Sequence, residues 1–480
     1  MSEETNSGYN PEIRMRMKLF AARASSVREE LQAIRTIPEL LDYTSTTVLD
    51  TIRQLPLYYW LAAPVFVMIR NLTLQHNDIW DEMFNVAAQG IHWQEILQQI
   101  GLIGWLLGIV VLAKGIRQVQ TGELELSAWL RAHTFHLLLA LLLFWSLLSF
   151  LFSEDRGLSW QGDSYRMEGF RAYLMYGGIF LSALSVRTWG NMKRLLRVLT
   201  TVSSLIAVLV LINYEPLNER LGIGEQTGIF FNSNHYGYYL CLTIMATLLL
   251  YLTEQRRLQR RLILAAFLLQ TAALVQDQSL GPYLAVCCGL IAVAIGLRWL
   301  KRSQLKKLLF VGGLFLLVSV LMNFYTNVLG ADLMRLFRDF SLILRRSEEA
   351  GRAGSGRWVL WTSGIRFIVE KPLFGYGPDN LGARYLLANV SIDRPHNELI
   401  QIAASLGIPA LLFYLGALGI LFKQFFRNRL HLGVEGIALA GIIIAYFVSS
   451  LFGNTMPYTT PYYLIILAAA SSLLKTISAQ

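Results

Sequence analysis

Apolar runs long enough to cross a bilayer recur from one end of this chain to the other, and they constrain the fold more than any motif does. A helix needs roughly 20 apolar residues to span the hydrocarbon core, and only helices or closed barrels satisfy their backbone polar groups there. Such runs lie near 53–73, 96–113, 132–152, 169–186, 195–213, 233–253, 262–276, 282–297, 308–325, 398–422, 433–453 and 461–475. They predict an all-α, polytopic transmembrane helical bundle of about 12 spans. The first run is interrupted by Pro56 and Pro64 and ends at Arg70; the seventh and eighth are short and nearly continuous, open to being merged or re-entrant. Only 15% of the 480 residues are charged, against about 25% in soluble proteins, which excludes a soluble domain carrying one anchor. The N-terminal stretch is polar and basic, so no cleavable signal peptide is expected.

Charge sorts the connections between spans into two sets. The basic set holds Arg14, Arg16, Lys18, Arg23, Arg28 and Arg35, then Lys114 and Arg117, then Arg187, Lys193 and Arg194, then the stretches Arg256 to Arg261, Arg298 to Lys307 and Lys423 to Arg429. The acidic or neutral set holds Asp78, Asp81 and Glu82, then Glu154 and Asp155, then Glu215, Glu219 and Glu225. The positive-inside rule assigns the basic set, and both termini with it, to the cytoplasm. The net charge of +10 follows this topology, which argues against nucleic acid as a partner. Four regions result: a cytoplasmic basic arm over 1–52, spans one to nine over 53–325, a large extracytoplasmic loop over 326–397, and spans ten to twelve over 398–480. Between Pro11 and Tyr43 the arm reads equally as an amphipathic helix on anionic membrane lipids and as a solvated tail. Cys241, Cys287 and Cys288 all fall in apolar spans and read as small core residues rather than disulfides or metal ligands.

The 326–397 loop carries about ten Lys or Arg, a charge that orientation does not explain, because long loops report it poorly. Leu333, Leu336, Phe337, Phe340, Ile343 and Leu344 recur at helical spacing and predict a helix along the membrane surface. Gly351 to Gly356 predicts a flexible stretch, followed by a second helix from near Arg357 to just before Pro372. Gly375, Gly377 and Pro378 predict a turn, and Asn380 to Ala388 a third short helix. Pro395 suits the first turn of the next membrane helix.

The loop ends in Arg394-Pro395-His396-Asn397-Glu398. With Pro395 opening the helix, His396 stands at the positive end of its dipole, which disfavours imidazolium and leaves the ring available as a base. Asp393 is near enough in sequence to orient or recharge it; the competing reading is a surface histidine that only hydrogen-bonds the helix end. Arg345, Arg346, Arg352, Arg357, Arg366, Arg384 and Arg394 supply guanidinium groups suited to a phosphate or, equally, to lipid headgroups. Trp358 and Trp361 serve either to stack on sugar or to anchor at the interface. Near the outer end of span four, Arg166, Glu168 and Arg171 lie together; Arg171 needs a partner there, and Glu168 is the nearest. Asn232 and Asn234, just before span six, either bind hydroxyl groups or cap that helix. Asp277 to Gly281 is a tight turn.

No Walker loop, dinucleotide glycine fingerprint or zinc-type His/Cys cluster is present, so no metal and no cofactor are expected. Nor do the apolar spans carry a ladder of acids of the kind found in proton-coupled transporters. The energy for any reaction has to come from the substrate, such as a diphosphate leaving group.

The stretch from Lys371 to Leu412 resembles the hallmark segment of the O-antigen ligase and O-antigen polymerase superfamily: a Pro-Leu-Phe-Gly-x-Gly turn (Pro372 to Gly377), then His396-Asn397, then a helix with Gly407-Ile408. Arg357 and Trp361 match the Arg-x-x-x-Trp that precedes the turn, and Gly228 to Asn234 resembles a Gly-x-Phe-x-Asn-x-Asn segment, so the likeness spans about 200–470. The resemblance implies a membrane glycosyltransferase that takes glycan from an undecaprenyl diphosphate-linked donor on the outer face of the cytoplasmic membrane. The acceptor would be a lipid, another glycan or a protein, in cell-surface polysaccharide biosynthesis. It implies that His396 deprotonates or orients the acceptor hydroxyl, that Arg357 stabilises the departing diphosphate, and that Asn397 and Arg394 line the site. Two positions depart from the family. Glu225 and Gln226 stand where many members have arginine before the Gly-x-Phe segment, and Leu280 replaces the arginine of a Ser-Arg-Gly turn. The diphosphate site is then rebuilt from Arg166, Arg171 or Arg220, or the donor has changed, or activity is lost. The alternatives from other classes are a flippase for lipid-linked saccharide and an inactive scaffold of an envelope assembly complex.

Overall fold

In the computed structural model the described residues are 49–73, 81–122, 125–164, 166–230, 232–300, 302–345, 354, 356–429 and 431–478, with a few positions between 25 and 39. The arm predicted between Pro11 and Tyr43 lies largely outside them, as do Arg346, Arg352 and most of the Gly351 to Gly356 stretch. The described chain contains no strand, only an isolated bridge between Gly224 and Gly228. Helices α1 (Leu49–Ile52), α2 (Leu55–Leu61) and α3 (Ala63–Asn71) precede the long α4 (Asp81–Gln120). Then come α5 (Leu126–Ala132), α6 (Thr134–Leu151), α7 (Arg156–Gln161), α8 (Phe170–Ala183), α9 (Trp189–Ile212) and α10 (Glu215–Leu221). They are followed by α11 (Ser233–Thr253), α12 (Arg257–Gln276), α13 (Leu280–Leu300) and α14 (Arg302–Thr326). The long loop contains α15 (Val328–Leu344), α16 (Arg357–Glu370) and α17 (Gly382–Leu387). The chain closes with α18 (Glu398–Leu406), α19 (Ile408–Arg427), α20 (Val434–Ser450) and α21 (Thr460–Ser478).

Among the described residues, 9 helices are long and apolar enough to cross a membrane: most of α4, then α6, α9, α11, α12, α13, α14, α19 and α21. Three predicted spans fold as shorter helices. The run at 53–73 is α2 and α3, each opening on one of the two prolines; the run at 169–186 is α8; the run at 433–453 is α20. The seventh and eighth runs are two separate helices, α12 and α13. The centre of the bundle is α11, nearly all of it buried, with α9, α12, α13 and α20 packed around it. Cys241 lies buried within α11, and Cys287 and Cys288 are half-buried in α13, all three as free thiols. Small residues bring α4 against α8: a Cβ on Gly178 would lie 1.9 Å from the Gly101 carbonyl oxygen. Such close backbone approach is a common way to pack apolar helices in lipid, where no hydrophobic gain drives association.

The tenth predicted run is not one helix. It breaks at Gly407, whose φ of +92° separates α18 from α19. The backbone groups freed by the break are taken up by the Pro372 to Gly377 turn. Ile408 N donates to Pro372 O (2.8 Å), Tyr376 N to Ala404 O (3.0 Å) and Gly377 N to Ser405 O (2.8 Å). Trp145 Nε1 on α6 donates to Leu373 O at 2.9 Å, and Ser149 Oγ to Ser405 O at 2.9 Å. Broken backbone at membrane depth is tolerated where protein satisfies it in this way. The turn and the Gly407-Ile408 pair are therefore two halves of one joint. A Cβ on Gly407 would sit 2.0 Å from Leu373 O, so only glycine fits. Beside the joint, α16 and α17 close a small second core of Leu360, Phe367, Tyr376, Leu381, Tyr385 and Ala404.

Candidate active site

The joint fixes where α18 begins, and the residues before α18 form the site. Asn397, not Pro395, starts the helix: its Oδ1 accepts from Ile400 N (3.1 Å), while its Nδ2 donates to Leu451 O at the end of α20 (3.1 Å). The cap satisfies a backbone N–H that would otherwise be orphaned, which leaves Pro395 and His396 outside the helix. His396 adopts φ +50°, a left-handed conformation that non-glycine residues rarely hold. Asn454, between α20 and α21, fastens it twice. Its Oδ1 accepts from the His396 backbone N–H (2.9 Å), and its Nδ2 meets the ring Nδ1 (3.2 Å).

Beneath His396 lies a buried charge network. Arg394, only 2% exposed, donates through Nη1 to Glu168 Oε2 (2.7 Å) and Thr455 O (2.8 Å), and pairs through Nη2 with Asp379. Glu168 also accepts from Tyr176 OH (2.6 Å) and Thr455 Oγ1 (2.7 Å). Asp379 accepts from the backbone N–H of Asp163 (2.8 Å) and Glu168 (3.2 Å). Arg166 grips Asp393 bidentately, Nε to Oδ2 at 2.7 Å and Nη2 to Oδ1 at 2.8 Å. Burial pushes the Asp393 carboxyl up, but Arg166 and Arg394 outweigh it and hold the group well below the usual range. Asp393 thus serves Arg166 rather than orienting His396. Glu168 serves Arg394 rather than Arg171; Arg171 instead donates to Gln94 Oε1 at 2.5 Å. The nearest residue in sequence is not the nearest in space, because Arg394 has to be neutralised where it is fully desolvated.

Arg357 is placed differently. It opens α16 and donates through Nη1 to Gly354 O (3.2 Å) and, more loosely, through Nη2 to Asn234 Oδ1 (3.4 Å). Among the described residues no carboxylate pairs with it, and its buried Nε has no hydrogen-bond partner. Asn234 lies in the first turn of α11, behind Asn232, whose Oδ1 caps that helix by accepting from Asn234 N (2.9 Å). Burial, then the charge of Arg357, then that of Arg166 push the half-buried His396 ring down to about 4.

The structure therefore brings His396, Arg357, Asn234, Arg166, Arg394 and Asn397 to one end of the bundle. It does not bring in Arg220, which is exposed on α10 and forms no ion pair with the described residues. Trp361 packs half-buried against the second core. In the region where many family members carry the two missing arginines, Glu225 Oε1 accepts from Gln276 Nε2 at 2.6 Å. Sequence reasoning missed Asp379, Asn454 and Thr455. The pair Asn454-Thr455, polar and wedged between two apolar runs, was the available signal for the last two. Among the described residues no His, Cys, Asp and Glu cluster could hold a metal.

No curated protein matches the chain. Residues 264–415 match the family model for O-antigen ligase, a range that holds Arg357, the turn, Asp379, Arg394, His396 and the joint at Gly407, and leaves Gly228 to Asn234 outside. Over that range the chain is similar to the O-antigen ligase family, and the match, which holds part of the site, supports the O-antigen ligase/polymerase superfamily.

Proposed function

We propose that this protein is a glycosyltransferase of the bacterial cytoplasmic membrane. It takes glycan from an undecaprenyl diphosphate-linked donor on the outer face and transfers it to, or polymerises it on, a glycan, lipid or protein acceptor in cell-surface polysaccharide biosynthesis. One observation carries this reading. Of the arginines gathered at the site, Arg166 and Arg394 are committed to carboxylates, whereas Arg357 has none among the described residues and keeps a buried Nε without a partner among them. A guanidinium held this way is suited to a diphosphate, which it can meet with two parallel N–H bonds. On this reading Arg357 takes the departing diphosphate, Asn234 steadies it, and His396 is the second group at the reacting bond. Arg166 and Arg394 hold the walls. The outer placement is supported by chain direction: α11 starts at the site and ends at the basic 254–261 connection, which the positive-inside rule assigns to the cytoplasm.

The test is donor turnover by purified protein in proteoliposomes containing a lipid diphosphate-linked glycan. Wild type is expected to release undecaprenyl diphosphate when acceptor is present, and Arg357→Ala to slow release about a hundredfold or more, the range for removing a preorganised donor from a developing anion. Full activity in both Arg357→Ala and His396→Ala would sink the site assignment. No release by wild type with any acceptor would favour the scaffold reading.

A further inference from the structure

The hydrogen bonds around His396 decide which ring nitrogen carries the proton. Asn454 Oδ1 accepts from the His396 backbone N–H at 2.9 Å. A backbone N–H can only donate, so the amide cannot be turned the other way round, and its Nδ2 is the atom that faces the ring Nδ1 at 3.2 Å. An amide nitrogen can also only donate. Nδ1 must then accept, and in the neutral imidazole the proton resides on Nε2.

We infer that Asn454 is a positioning residue that locks His396 as the Nε2–H tautomer, so that His396 donates a hydrogen bond to the diphosphate beside Arg357 instead of removing the acceptor's proton. The donor role rests on the glycosyltransferase reading; the tautomer does not. In the transfer step the acceptor oxygen bonds to the anomeric carbon, and the bond from that carbon to the diphosphate oxygen breaks with its electron pair left on phosphate. The hydroxyl proton leaves to a phosphate oxygen. The surroundings agree with a neutral donor. Arg357 faces the ring from α16, Arg166 from the segment before α8, His235 from α11, and Asp393 and Arg394 from its own loop. Burial and the guanidinium groups hold the ring at about 4, far below the operating pH at which a general base is effective. The backbone of His396 is left-handed and its N–H is held by Asn454 Oδ1, so the same amide that fixes the backbone also presents Nδ2 to the ring Nδ1.

The test combines a spectrum and three variants in the full-length protein in lipid nanodiscs. With 15N-labelled histidine, the His396 signal, assigned as the one lost in His396→Gln, is expected to show Nε2–H at neutral pH. Asn454→Asp presents a carboxylate that accepts from both the backbone N–H and Nδ1–H, so it should move the proton to Nδ1 and lower kcat more than it changes KM. His396→Gln, whose amide donates but cannot serve as a base, should keep transfer within about tenfold of wild type, while His396→Ala loses about a hundredfold or more. A wild-type ring protonated on Nδ1, an Asn454→Asp rate at or above wild type, or a His396→Gln variant as slow as His396→Ala overturns the inference. Absence of transfer by wild type would instead overturn the glycosyltransferase reading and the donor role with it, while the 15N pattern still decides the tautomer.

Discussion

At the scale of single residues, the partner each arginine has found separates its duty from that of its neighbours. Arg394 neutralises Glu168 and Asp379, whose side chains are 0% and 3% exposed, so Arg394→Ala leaves buried carboxylates uncompensated. Thermal unfolding in detergent is expected to show a loss of about 3–5 kcal/mol for that variant, because breaking a buried pair costs far more than the pair contributes. Arg357→Ala removes no such partner among the described residues and should shift stability by less than about 1 kcal/mol while transfer collapses. Acid behaves predictably at His396. Its folded value lies near 4, below the usual 6.5, so between these values the unfolded chain binds the extra proton and stability falls as pH drops through that window. His396→Gln should flatten this part of the pH–stability curve; an unchanged curve would contradict the burial of the ring among cations. His396, Arg357, Asn234 and Asn397 were legible because each sits in a local pattern that names it. Asn454 and Asp379 were not, because a polar residue in a short connection reads as turn chemistry until the fold shows what it faces.

At the scale of elements, the site depends on one joint. The Pro372 to Gly377 turn satisfies the backbone that Gly407 exposes, and this sets the direction in which α18 carries Asn397 and His396. Gly407→Ala would force a Cβ toward Leu373 O and hold a side chain at φ +92°, and should lower stability by at least about 2 kcal/mol, read by thermal unfolding. A neutral result would show that the joint yields and does not position the site. The helices of the loop were readable from spacing, since α16 and α17 fall within a residue or two of their expected ends. The break in the tenth run was harder to see, because its residues are apolar on both sides and Pro409 alone marks the start of α19. What makes the break stable is a turn some thirty residues earlier, a long-range pairing that periodicity cannot report.

At the scale of the whole molecule, the bundle was legible and its centre was not. Hydropathy finds spans, but which span sits inside depends on what surrounds it: α11 is nearly all buried, α6 mostly half-buried, and both are apolar enough to span a membrane. The placement of α11 matters because its N-terminal turn delivers Asn234 to Arg357, and its C-terminal end reaches the basic 254–261 connection. A cysteine introduced at Asn389 should therefore react with an impermeant maleimide on intact cells, and one at Gln255 only after permeabilisation; the reverse pattern would put the site on the cytoplasmic side and exclude an outer-face donor. The central claim, that the end of the bundle holding His396 and Arg357 transfers glycan from a lipid diphosphate, is tested most directly by the rate of undecaprenyl diphosphate release from proteoliposomes by wild type and Arg357→Ala of equal thermal stability. Acceptor-dependent release by wild type and a loss of about a hundredfold or more in the variant are predicted. Equal rates in the two proteins would contradict the account.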